Sequence, residues 1–184
     1  MCGIAGIHGL DAFPGKDEAL GALRDMVAAM GHRGPDAEGV WCQDDVVALG
    51  HRRLSILDPT PGSNQPFALG RDVLVFNGEV YNFRELRAAL QSLNYEFTSN
   101  SDTEVVLNGY HAWNENVLNK LEGMFAIAIW DDIAKTLFLA IDRLGEKPIY
   151  YHSNTKSFIF ASNLNAINHF LDNHTINNKS FRKC

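Results

Sequence analysis

The chain has 184 residues, of which 46% are hydrophobic and 21% charged, the proportions of an ordinary globular domain and far from those of a disordered chain. Twenty-two acidic against sixteen basic residues leave a formal charge of −6, which argues against a phosphate-backbone binder, since such a protein needs a basic face. No apolar run approaches the roughly 18 residues of a membrane span, and no basic stretch precedes an apolar one at the N-terminus, so a cytoplasmic protein with neither nucleic acid nor membrane as partner is expected.

In chain order, Cys2 to Leu10 reads as a short Gly-punctuated strand. Asp17 to Met30 places Leu20, Leu23, Met26, Val27 and Met30 at near-helical spacing, with Gly31 as the stop. After the loop His32-Arg33-Gly34-Pro35-Asp36, Val40 to Cys42 and Val46 to Leu49 form a predicted hairpin across Asp44-Asp45. Asp58 to Gly70 is predicted loop. Val73 to Phe76 is a predicted strand ending at Asn77-Gly78, and Asn82 with Glu85 resembles a capping box opening a helix that carries Leu86, Ala89, Leu90 and Leu93. Ser101 with Glu104 signals another helix start, and Val117 to Leu121 a short helix stopped by Gly123. Phe125 to Trp130 and Leu137 to Ile141 are apolar at every position, so both are expected in sheets covered on two sides. Ile149 to Tyr151 and Phe158 to Ala161 add strands, Leu164 to Leu171 a closing helix, and the Asn-rich segment beyond Asp172 a polar tail. Strands among helices without regular βαβ alternation point to an α+β layered fold.

The three cysteines, Cys2, Cys42 and Cys184, are too few and too dispersed for a disulfide framework, and no histidine or cysteine spacing suggests a metal. Position singles out Cys2. Removal of Met1 would put a thiol, of reference pKa roughly 8.5, and an α-amine, roughly 7.7 to 8.0, on one residue, so that the nucleophile carries its own base. The alternative is a small buried residue of the first strand. Asn77-Gly78 is either a hairpin turn or an oxyanion hole of the Asn77 amide and the Gly78 N–H. Arg53 suits bidentate recognition of a carboxylate, or is a strand-end surface charge. Asp102 suits an ammonium group, or complements a helix N-terminus.

Met1-Cys2-Gly3-Ile4-Ala5-Gly6-Ile7, His32-Arg33-Gly34-Pro35-Asp36, Arg53-Leu54-Ser55-Ile56, Gln65-Pro66, Asn77-Gly78-Glu79-Val80-Tyr81-Asn82 and Ser101-Asp102-Thr103-Glu104 follow one another in an ordered series. Gly123-Met124-Phe125-Ala126, Asp142-Arg143-Leu144-Gly145, Lys147-Pro148-Ile149-Tyr150-Tyr151 and Phe160-Ala161-Ser162 continue it. The series resembles class II glutamine amidotransferases, and among them the glutaminase domain of glutamine-hydrolysing asparagine synthetase, over residues 1 to about 170. The resemblance implies an N-terminal-nucleophile hydrolase fold, a four-layer αββα sandwich, over residues 1–171, with 172–184 as a tail or linker stub.

It also implies roles. Cys2 would attack the side-chain carboxamide of L-glutamine to form a thioester, with its α-amine as general base and Asn77 and Gly78 as the oxyanion hole. Arg53 would hold the substrate carboxylate and Asp102 its ammonium, with Leu54, Ser55, Ile56, Leu57 and Glu79 lining the pocket. The family pattern carries an acidic residue after Ala-Ser where this sequence has Asn163, followed by Asn165. The phosphate-binding Ser-Gly-Gly-x-Asp-Ser loop of the family's ATP-dependent synthetase domain does not occur in this sequence. The chain is therefore expected to release ammonia without itself making asparagine, to need no cofactor, and to serve a synthetase domain or subunit in trans, ATP and Mg belonging to that partner. The alternative from another class is a non-catalytic truncated remnant or interaction module.

Overall fold

The computed structural model describes residues 1–55 and 61–170. Its elements are β1 (Gly3–His8), α1 (Lys16–Ala29), β2 (Ala37–Gln43), β3 (Val47–Arg53), β4 (Phe67–Leu69), β5 (Asp72–Val80), α2 (Phe83–Ser92), α3 (Asp102–Trp113), β6 (Gly123–Asp131), β7 (Thr136–Ile141), β8 (Tyr150–Ser153), β9 (Phe158–Ala161) and α4 (Leu164–Ile167). The strands form two sheets, ordered β2-β3-β1-β9-β8 and β4-β5-β6-β7, with every neighbouring pair antiparallel. No helix among the described residues is long and apolar enough to cross a membrane.

Strand alternation explains the layering. Ala5 and Ile7 of β1, Ala48 of β3 and Ile159 of β9 turn to one side of the first sheet and bury Leu23 and Met26 of α1 and Ile167 of α4. Leu74 and Phe76 of β5 with Ile127 and Ile129 of β6 turn to the far side of the second sheet and cover Leu86, Leu90, Val106 and Leu107 of α2 and α3. The intervening positions, Ile4, Val47, Leu49, Val73, Val75, Ala126, Ala128, Trp130 and Phe160, meet in a third cluster between the two sheets. The product is an αββα sandwich. Its spine is β6, buried throughout from Phe125 to Trp130, where each large apolar side chain contributes roughly 1.5–3 kcal/mol.

Several expectations are corrected. Asn77-Gly78 is not a turn: β5 runs through both residues, which pair with Ala126 and Phe125 of β6. A Cβ on Gly78 would lie 2.2 Å from the Met124 carbonyl oxygen, so close backbone approach, and not a turn conformation, requires the glycine. β7 is an edge strand with half-buried to exposed residues, not one covered on both sides. The segment read as loop from 58 to 70 contains a 3-10 turn at Pro61–Ser63 and strand β4. The helix expected at 117–121 is a 3-10 turn over Asn114–Asn119, and the closing helix has a single α turn, Leu164–Ile167.

The capping box at Asn82 does not form either. The Asn82 amide instead donates to the Lys120 carbonyl at 2.9 Å and accepts from Glu122 N–H at 3.1 Å, tying α2 to the turn before β6. Ser101 does cap α3, accepting from Thr103 N–H at 3.1 Å. Its expected partner Glu104 accepts instead from the backbone and hydroxyl groups of Thr98 and Ser99.

Candidate active site

The interlayer core stops short at one end of the sandwich, and polar residues take over there. Ile4 of β1 faces the interlayer, so Cys2, two residues earlier, faces it too. Val73 and Val75 of β5 lead by the same alternation to Asn77, and Val47 and Leu49 of β3 lead to His51 and Arg53. Helix α3 opens at this end with Asp102. A cavity of about 90 Å³ results, and its lining includes Cys2, Arg53, Leu54, Asn77, Gly78, Glu79 and Asp102, all expected from the sequence. Ser55 does not reach the lining; its N–H donates to the Asp36 carboxylate at 2.7 Å. Ile56 and Leu57 lie outside the described residues.

The Cys2 thiol sits against the Leu54 backbone, with the Leu54 N–H donating to Sγ at 3.4 Å and Sγ 3.7 Å from the Leu54 carbonyl oxygen. The Cys2 carbonyl accepts from Arg33 Nε at 3.0 Å, which fixes the backbone of the residue. Burial pushes the thiol pKa up; the Leu54 N–H, the N-terminal ammonium and Arg53 only partly offset it. A thiol so held is protonated near neutral pH and needs a base to become a nucleophile.

Facing it is a row of donors on the free edge of β5. Both backbone polar groups of Phe125 turn away from β5: its N–H donates to Asp142 Oδ2 at 3.2 Å and its carbonyl accepts from Asp142 N–H at 2.8 Å. Its partner Gly78 is therefore a non-hydrogen-bonded pair, and the Gly78 N–H points to the opposite edge, into the cavity. The neighbouring outward amides are occupied. Phe76 N–H donates to Gln65 Oε1 at 2.6 Å and Val80 N–H to Asp102 Oδ2 at 3.1 Å. Beside them, Asn77 Nδ2 is buried with no hydrogen-bond partner among the described residues, its residue 1% exposed. A buried donor without an acceptor costs free energy, and such groups mark places where something else binds.

Supporting side chains clamp this strand. Gln65 also donates from Nε2 to Thr103 Oγ1 at 3.3 Å, linking β5 to the start of α3. His51 is fully buried, its pKa depressed by burial to about 3, so the neutral ring donates from Nε2 to the Phe76 carbonyl at 3.2 Å. Arg53 donates to Asn64 Oδ1 at 2.6 Å. Sequence reasoning assigned no role to Gln65, Thr103 or Lys147, although all three stand in the ordered motifs, and it passed over Ser63; all four line the cavity.

Charge is divided across the cavity, Arg53 and Lys147 against Glu79 and Asp102. Asp102 is 5% exposed, and burial raises its pKa from 3.8 to about 6; its hydrogen bonds from Val80 and Thr103 N–H oppose the rise and the Glu79 charge adds to it. The linkage has a definite sign. A carboxyl that titrates higher folded than unfolded stabilises the protein below pH 3.8, and that contribution disappears as pH rises to about 6. Holding the charge above that pH costs roughly 3 kcal/mol as an upper bound. Asp102→Asn keeps an acceptor for Val80 N–H and is expected to raise the thermal unfolding midpoint at pH 7.5 while leaving it unchanged at pH 3.5. A lowered midpoint at pH 7.5 would show that the carboxylate is there for the fold and not despite it.

A thiol, neighbouring Asn77 and Gly78 N–H donors and charges of both signs around one cavity suit acyl transfer from a small zwitterion to sulfur. Among the described residues no cluster of His, Cys, Asp and Glu is arranged to hold a metal ion.

A family model for the glutamine amidotransferase domain matches residues 1–183. The chain is 37% identical over 171 residues to asparagine synthetase [glutamine-hydrolyzing] 3 of Bacillus subtilis, covering 91% of this chain and 27% of that protein. It is 39% identical over 167 residues to asparagine synthetase [glutamine-hydrolyzing] 1 of the same organism, covering 88% and 26%. The chain thus spans about a quarter of the length of these curated relatives. Among solved structures, the glutamine phosphoribosylpyrophosphate amidotransferase of B. subtilis superposes with a TM-score of 0.75 at 22% identity, over 91% of this chain and 43% of that one, a likeness of fold.

Proposed function

The chain belongs to the glutamine amidotransferase domain family, and from that premise we propose that it hydrolyses the side-chain amide of L-glutamine to glutamate and ammonia through a thioester on Cys2. Met1 is removed first, which exposes the Cys2 α-amine. That amine takes the thiol proton as sulfur attacks the carboxamide carbon, and the carbonyl oxygen becomes an oxyanion received by Asn77 Nδ2–H and Gly78 N–H. The proton passes to the departing nitrogen, the C–N bond breaks and ammonia leaves. Water, deprotonated by the same amine, adds to the thioester; the C–S bond breaks, glutamate is released and the thiol is restored.

Arg53 receives the α-carboxylate of the substrate, Asp102 and Glu79 face its α-ammonium, and Leu54 forms part of the wall. This chemistry uses no cofactor. The ammonia goes to a synthetase domain or subunit, which would bind ATP and Mg; support for this comes from the relatives named as glutamine-hydrolysing asparagine synthetases, of which this chain spans about a quarter.

The observation that carries the reading is that Asn77, whose buried Nδ2 has no hydrogen-bond partner among the described residues, lines the same cavity as Cys2. The test is intact mass of the purified chain, to establish loss of Met1, followed by paired assays of ammonia and glutamate from glutamine. Equimolar release of the two products is expected. A chain lacking Met1 that releases neither product would leave the interaction module as the better reading.

A further inference from the structure

Lys147 has no task in the chemistry described above, yet it is a buried cation, 6% exposed, on the wall of the cavity. Among the described residues its Nζ makes no salt bridge; its polar contact is with the Met1 thioether sulfur at 3.2 Å. A thioether is a weak acceptor, and an ammonium taken out of water without a carboxylate is costly. The cost is built in deliberately by a loop that folds around one carboxylate. Asp142 accepts from the N–H groups of Leu144 at 3.0 Å, Glu146 at 2.9 Å, Lys147 at 3.0 Å and Phe125 at 3.2 Å, and Gly145 completes the turn at φ +67°. The loop is thus pinned to β6 beside the oxyanion strand, and Lys147 is delivered from it into the cavity.

The contact with Met1 locates the ammonium. Met1 is joined through its carbonyl carbon to the Cys2 nitrogen, and Cys2 and Lys147 line the same cavity, so the ammonium and the α-amine that emerges on excision share that cavity. We infer that Lys147 is a positioning residue for the proton transfer: its charge disfavours the protonated form of the Cys2 α-amine and so keeps the base free at neutral pH. The inference rests on the proposed hydrolysis and on removal of Met1. Other charges face the same group. Arg53 on β3 and Arg33, bonded to the Cys2 carbonyl, act in the same sense as Lys147, whereas Asp102 on α3 and Glu79 on β5 oppose it.

The experiment is the pH profile of kcat for the full chain and its Lys147→Met, Lys147→Gln and Lys147→Arg variants, each shown by mass to lack Met1. The kcat profile reports the substrate-bound enzyme, in which Asp102 is paired with the substrate ammonium and does not titrate nearby. Both neutral variants are expected to move the acid limb upward by about one pH unit or more, lowering kcat at pH 7 about tenfold and recovering it by pH 9, with KM little changed. Lys147→Arg keeps the limb in place. An unmoved limb in the neutral variants overturns the inference, as does a raised KM with an unmoved limb, which would assign Lys147 to substrate binding. A wild-type chain lacking Met1 that releases no ammonia fails the proposed hydrolysis instead, so the two failures are distinct.

Discussion

Ammonia release from glutamine is expected to fall to the buffer rate when Cys2 is replaced by alanine. Alanine is as small as cysteine at the second position, so Met1 excision proceeds and the variant keeps the α-amine, the oxyanion donors and both charged ends of the cavity. What it loses is the sulfur that makes the acyl bond. The thiol contributes little to the fold, since its contacts are long ones of 3.4 and 3.7 Å to the Leu54 backbone, and the unfolding midpoint should move by no more than a surface substitution moves it. Glutamine should still protect the variant thermally, because the groups proposed to hold its carboxylate and ammonium remain. Ammonia release equal to wild type would sink the nucleophile assignment, and loss of activity with loss of the fold would leave it undecided between chemistry and packing; Cys2→Ser, which differs by one atom, separates those outcomes.

The second large effect belongs to Asn77. Replacing it by alanine removes one of the two proposed oxyanion donors, which in comparable sites costs about 10²–10³ in kcat, or about 2.7–4 kcal/mol. The loss should fall on kcat and leave KM nearly alone, because the amide meets the substrate oxygen strongly only when charge develops there. Stability should not fall with it. Asn77 Nδ2 has no partner in the fold, so its removal deletes a buried, desolvated donor and not a hydrogen bond. A loss of tenfold or less, or a matching drop in unfolding midpoint, would reassign the side chain to structure. Gly78 cannot be tested in the same way, since any side chain there meets the Met124 carbonyl.

How much of this was legible in the chain depends on where each signal came from. Helix α1 was readable because its apolar spacing is set by a single buried face, and strand β9 because its unbroken apolar run is covered on both faces. Asn77-Gly78 was not, because the local preference for a turn is worth less than an uninterrupted pairing of β5 with β6, visible only once residues 123–130 are placed alongside. Strand β4 hid within a Pro- and Gly-bearing stretch and is held by its partner and not by its own propensity. Gln65 stands in for a strand, accepting the Phe76 N–H where β4 no longer runs alongside β5, a substitution of side chain for backbone that no pattern of residues announces. The proposed site residues, Cys2, Arg53, Asn77, Gly78 and Asp102, which line one cavity, were singled out by the order of several motifs. Each alone had a plausible structural explanation.

The pairing of the first strand with the last has a consequence for how the protein matures. Strand β1 lies between β3 and β9, with Ala5 opposite Ala161, so its second edge closes only after nearly the whole domain has been synthesised. At about 5–20 residues per second, the stretch from β1 to β9 takes on the order of ten seconds to half a minute to emerge from the ribosome. Throughout that interval the amino terminus belongs to an unfinished sheet. In the proposed mechanism Met1 is lost to expose the Cys2 α-amine, and the topology leaves time for that step before the second edge of β1 closes.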